Sequence, residues 1–251
     1  MILGILGGMG PAATSNFFKK IISCTDAKSD QEHLHVIIDN NVEIPDRTSY
    51  ICGSGEDPRV EMIRSVIKLE AMGADYIAIP CNTAHYFYDD LTKYTKVKIL
   101  NMIHETAIFL KDTKPDCKDY LLLATKGTYF SGIYKKTFDA VGLRIIEPDN
   151  NDKERIMDWI YKVKSSNFDI SLNEFTFVIN KYCGGKTVLP ILGCTELPLL
   201  AQKIGFSEEY IDPLSILAKR CVDVAEAEKK EQCRCKYLLF YVNYCKNQHG
   251  R

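Results

Sequence analysis

Two cysteines carry the clearest chemistry this sequence offers. Cys81 ends an apolar run in IAIPCNTAH (77–85), and Cys194 ends another in VLPILGCTEL (188–197). Each is followed at once by small polar residues, Asn82 and Thr83 in one case and Thr195 in the other. Inverting a carbon that bears an acidic hydrogen needs a base on one face and an acid on the other. A matched pair of thiols suits that task, because a thiol titrates near pH ~8.5 and a helix N-terminus favours its thiolate. Both cysteines are expected where a strand gives way to a helix. The N–H groups that follow them, with Asn82, Thr83 and Thr195, are then candidates to hold a carboxylate and the oxygens of a developing enolate.

Two other chemistries compete. Cys81 and His85 are four residues apart and would share a helix face, so a thiolate–imidazole nucleophile is conceivable. A histidine that packs or faces solvent is the simpler reading. Gly8, Gly10 and Ala13 fit G-x-G-x-x-A, with Asp39 ending the next strand as a ribose-binding acid. Against a dinucleotide, Pro11 removes a backbone donor from the turn that would cradle pyrophosphate, and the spacing to Asp39 is long. In the tail, Cys233, Cys235, Cys245 and His249 can be drawn as a metal site, but C-x-C is not a zinc-ribbon spacing. An amphipathic appendage on the body or on a partner subunit is the expectation there. No cofactor and no metal are expected.

These residues must be positioned by a fold, and the chain alternates apolar runs with amphipathic stretches. Strands are predicted at 2–6, 33–40, 75–80, 97–100, 120–124, 143–147 and 187–192. Helices are predicted from Pro11, at 58–72 with Gly73 as its stop, and at 102–111, 128–141, 152–164, 172–182 and 195–204. This βαβ grammar predicts a parallel sheet flanked by helices, with ligands at the carboxyl ends of strands. ILGILGGMGP at the start and DYLLLATKGT (119–128) look like an internal repeat, each followed by a cysteine-ended strand. Two similar lobes would bring both cysteines to one cleft.

The chain has 251 residues, 46% of them hydrophobic, with a net charge of −1 from 32 basic and 33 acidic residues. That balance supplies no field for nucleic acid or an anionic membrane. No apolar run is long enough to span a bilayer, and the apolar N-terminus lacks a basic leader region, so a cytoplasmic location is expected. Most of the ten cysteines sit singly among apolar or helical residues and read as free thiols in a reducing compartment.

The ordered motifs GILGGMGPAAT (4–14), PDRTSYI (45–51), PCNTAH (80–85), NMIHET (101–106), LLATKGT (122–128) and LGCTEL (192–197) identify a family resemblance. Over roughly residues 1–215 the chain resembles the cofactor-independent aspartate racemases of the aspartate/glutamate racemase superfamily. The resemblance implies two Rossmann-like α/β lobes related by a pseudo-twofold axis, with the site between them and usually a homodimer. It implies lobes at about 1–98 plus 213–251 and 99–212. It implies racemisation without PLP by two cysteines, here Cys81 and Cys194. Glutamate racemases usually open on Asp-Ser-Gly and carry histidine after the second Cys-Thr; GGMGP and Glu196 favour the aspartate type. Glu196 is a candidate to orient or buffer Cys194, or a helix-start acid favoured by the dipole. Arg47 is the candidate for a distal carboxylate, since a guanidinium fork binds one bidentately, with Thr48 beside it. Lys164 resembles a family lysine that reaches the substrate, and Thr125 and Thr128 are expected to line the second lobe's strand end. The expectation is an isomerase acting on L- and D-aspartate or a close dicarboxylic amino acid. The alternatives are a racemase of broader specificity and a catalytically silent binder of small carboxylates.

Overall fold

The structure, a computed structural model, describes residues 1–184 and 187–226; the tail cysteines and His249 lie outside the described residues. The first half runs β1 (Ile2–Gly7), α1 (Pro11–Cys24), β2 (His35–Asn40), α2 (Arg47–Ile51), α3 (Arg59–Ala71), β3 (Tyr76–Ala78), α4 (Tyr88–Leu91), β4 (Lys98–Leu100) and α5 (Met102–Thr113). The second runs β5 (Asp119–Leu123), α6 (Lys126–Ser131), α7 (Ile133–Asp139), β6 (Arg144–Ile146), α8 (Asn150–Lys164), α9 (Leu172–Cys183), β7 (Val188–Leu192) and α10 (Glu196–Lys203). Residues 213–226 are helical.

The strands form two all-parallel sheets, ordered β2-β1-β3-β4 and β6-β5-β7. Beyond β7, Ile211 makes a parallel bridge to Ile191, where the first sheet has β4. The two orders therefore match, with β1 and β5, the strands of the sequence repeat, at equivalent places.

β1 is apolar throughout because both its faces are covered. Leu3 and Ile5 pack with Phe17 and Ile21 of α1 and with Leu214 and Leu217. Leu6 points the other way, into a cluster with Met62, Val66 and Leu69 of α3. The second sheet is covered in the same manner. Leu121, Leu123 and Leu192 meet Trp159 and Phe175 on one side, and Tyr120 and Leu122 meet Tyr134 and Phe138 on the other. Burial of each such large side chain stabilises the fold by roughly 1.5–3 kcal/mol.

Local chemistry accounts for three departures from the sequence expectation. The helix expected over 128–141 is two helices, because Gly132 adopts φ 63°, left-handed backbone that ends the first. Cys81 does not open an α-helix: Thr83–Phe87 is a 3-10 helix, entered through a turn in which the Cys81 N–H donates to Ile79 O at 2.9 Å. The helix α2 was not expected, being too short for a periodic signal; Asp46 starts it by accepting a hydrogen bond from Ser49 N at 2.7 Å. Among the described residues, no helix is long and apolar enough to cross a membrane.

Candidate active site

Cys81 follows β3 and Cys194 follows β7, the equivalent strands of the two sheets. Both thiols face one cavity. Nine residues singled out from sequence line it: Cys81, Asn82 and Thr83; Cys194 and Thr195; Arg47 and Thr48 on α2; Thr125 before α6; and Lys164 at the end of α8; Thr128, also expected at this strand end, does not. Met9, Asp46 and Glu196 complete the wall. The free volume is about 20 Å³, room for roughly one water, so binding an amino acid requires the walls to move apart. A larger cleft of about 780 Å³ opens beside Lys20 and Gln202. It contains neither cysteine, and its lysine is already held by Asp212 at 3.0 Å and Ser215 at 2.8 Å.

The lobes are tied together at the cavity. Thr83 Oγ1 lies 2.9 Å from Thr125 Oγ1 and 3.0 Å from Thr128 Oγ1, and the last two are 3.0 Å apart. Gly127 lets α6 approach α2, since a Cβ there would stand 2.9 Å from Thr48 Cα.

The two sulfurs differ in surroundings. Cys194 Sγ donates to Glu196 Oε2 at 2.9 Å, and Thr195 Oγ1 donates to the same oxygen at 3.0 Å. Burial and then the Glu196 carboxylate push the Cys194 thiol well above its ordinary range, so this sulfur keeps its proton. Lys164 is exposed as a residue, yet it also lines the cavity. Desolvation pulls its pKa down, and Cys194, Glu196 and Cys81 outweigh that and raise it. The Asp46 carboxyl is pushed up by burial, but Ser49, Arg47 and Lys164 together hold it below the ordinary carboxylate range.

Arg47 has three of its five N–H donors already taken. Its Nη1 donates to Ile44 O at 3.2 Å and Pro45 O at 3.0 Å, and its Nη2 to Met9 O at 3.3 Å. Its Nε is buried without a partner. His85 is not paired with the Cys81 thiol. Met102 N donates to its Nε2 at 3.0 Å, which leaves the ring proton on Nδ1, 2.9 Å from Cys81 O. The dinucleotide reading loses its cradle, because the Gly8 amide donates to Thr14 Oγ1 at 2.9 Å. Gly8 itself makes a tight turn at φ 92°, where a Cβ would stand 2.2 Å from Asn41 O.

Sequence reasoning missed Met9, Asp46 and Tyr134, whose hydroxyl donates to Asn82 Oδ1 at 2.5 Å. Pro45-Asp46 is a helix-start signal that could have placed Asp46. Nothing local marks the other two.

The fold defines a two-lobed α/β protein built on paired parallel sheets. The model of the Asp/Glu/Hydantoin racemase family matches residues 6–221, and the chain belongs to that family. It is an isomerase of the amino-acid racemase class. Among similar proteins, the "Broad specificity amino-acid racemase RacX" of Bacillus subtilis (strain 168) is 26% identical over 230 residues, covering 88% of this chain and 96% of that one. An aspartate racemase from Picrophilus torridus superposes with a TM-score of 0.79 at 34% identity, covering 90% of this chain and 94% of that one. An aspartate racemase homologue from Pyrococcus horikoshii superposes with a TM-score of 0.71 at 27% identity, covering 89% and 98%.

Proposed function

We propose that this protein interconverts L- and D-aspartate, or a close dicarboxylic amino acid, by proton transfer between Cys81 and Cys194 without PLP. The observation that carries this reading is the pair of thiols on one cavity, with Cys194 held protonated by burial and by Glu196. The Cys81 thiolate takes the α-proton from one face, and the C–H electron pair moves into the carboxylate as an enolate. The Cys194 S–H then delivers its proton to the opposite face of the α-carbon. The products are the inverted amino acid, a Cys81 thiol and a Cys194 thiolate, and the reverse turnover restores the starting pair. Lys164 shares the cavity with both sulfurs and neutralises the added negative charge. Asn82, Thr83 and the N–H groups beside the cysteines hold the α-carboxylate. Arg47, Thr48 and Lys164 face the distal one. A homodimer and a cytoplasmic location belong to the same proposal.

One observation favours the broader-specificity reading. Three of the five Arg47 N–H donors are taken by backbone carbonyls, which leaves the Nε–H and one Nη2–H for a distal carboxylate. With fewer donors left to reward an acidic side chain, selectivity for one is reduced.

Incubation with L-aspartate in deuterium oxide, without added cofactor, tests the chemistry. Chiral chromatography should show D-aspartate carrying one deuterium at the α-carbon. Cys81→Ser and Cys194→Ser should each lower kcat/KM by roughly 10²–10⁴-fold. Unlabelled product, or near-normal turnover in either variant, refutes the two-thiol mechanism.

A further inference from the structure

Asn82 belongs to the first lobe and Tyr134, on α7, to the second. Their side chains meet: Tyr134 Oη lies 2.5 Å from Asn82 Oδ1, and both residues are buried, at 1% and 3% exposure. An asparagine amide can present either its oxygen or its N–H₂ group to a neighbour. Here the phenol donates and the amide oxygen accepts, at a separation within the O–H···O range. The Tyr134 ring is held against Phe138, with centroids 5.6 Å apart, so the hydroxyl has a defined place. Burial also raises the Tyr134 pKa well above its ordinary value, and the phenol keeps the proton it donates.

We propose that Tyr134 is a positioning residue for substrate, one that turns the Asn82 amide so that its N–H₂ group faces the cavity and the substrate carboxylate. The inference rests on the racemase reading of the cavity. It adds a residue on α7, which does not line that cavity, to the set that governs substrate binding. It also links binding to closure of the lobes. The amide of one lobe is oriented by a hydroxyl of the other, so its donors are aimed only when the two are together. Free of Tyr134, Asn82 can present its oxygen to the carboxylate, which repels it.

The test is Tyr134→Phe, which removes one oxygen and keeps the ring. With L-aspartate, KM should rise about tenfold while kcat falls less than about threefold, since the amide binds the carboxylate in ground state and transition state alike. A merely structural hydroxyl would lower the melting temperature and leave the KM of the folded enzyme unchanged, and that outcome overturns the inference. The second readout needs no turnover. In protein labelled with ¹⁵N-asparagine, the Asn82 side-chain signal, assigned by its loss in Asn82→Asp, should move and exchange faster with water in Tyr134→Phe. An unchanged signal overturns the inference, as does a strong NOE in the wild type between the Asn82 amide protons and the Tyr134 ring. If the wild type racemises nothing, the racemase reading fails, and the amide signal alone decides whether Tyr134 orients Asn82.

Discussion

His85 should make the first lobe acid-labile through a single buried ring. Its two nitrogens close a bridge: Nδ1–H donates to Cys81 O at 2.9 Å and Nε2 accepts from Met102 N at 3.0 Å. Burial lowers its pKa from 6.5 to about 4, against the opposing effect of its backbone hydrogen bonds. A second ring proton would point at the Met102 N–H, donor against donor. The folded pKa lies below the unfolded one, so the unfolded chain binds the proton first as pH falls. The stabilisation is complete above pH ~6.5 and lost on descent to about pH 4. A gap of about 2.5 units at ~1.36 kcal/mol each amounts to about 3 kcal/mol, of which about 2 kcal/mol is gone by pH 5. That is a substantial part of a typical 5–15 kcal/mol stability. Urea denaturation of the wild type and His85→Gln at several pH values between 4 and 7 measures it. Glutamine has a donor and an acceptor but does not titrate, so the wild type should lose about 3 kcal/mol more than the variant across that range. A wild-type-minus-variant difference that is flat with pH would refute the reasoning.

Two further predictions concern the sulfurs and the lobe contact. Glu196→Gln removes the carboxylate that helps hold the Cys194 proton; the Cys194 pKa then falls, and the alkaline limb of the kcat/KM profile should move to lower pH, while an unmoved limb refutes the role. Gly127→Ala puts a methyl 2.9 Å from Thr48 Cα and should cost about 1–3 kcal/mol by overpacking, read as a lowered melting temperature; an unchanged one means that α2 and α6 are not in close contact in solution.

The alternation of apolar runs and amphipathic stretches determined the strands and most helices, because side-chain period is a local property. The echo of PCNTAH in LGCTEL brought the two thiols together on paper, since ligands in parallel sheets bind at strand carboxyl ends. Both thiols and seven of the other residues singled out line one cavity. What the sequence left open was the state of those residues. The sequence already favoured a packing His85 over a catalytic one, but only the tertiary structure made it a neutral brace between Cys81 and Met102. It also showed three of the Arg47 N–H donors taken by backbone carbonyls, and it brought Tyr134 against Asn82 from the other lobe. The physical reason is that donors and acceptors are shared out by contacts between segments far apart in the chain. A residue's type says which protons and lone pairs it owns, and the packing of the two lobes decides how many remain for a substrate.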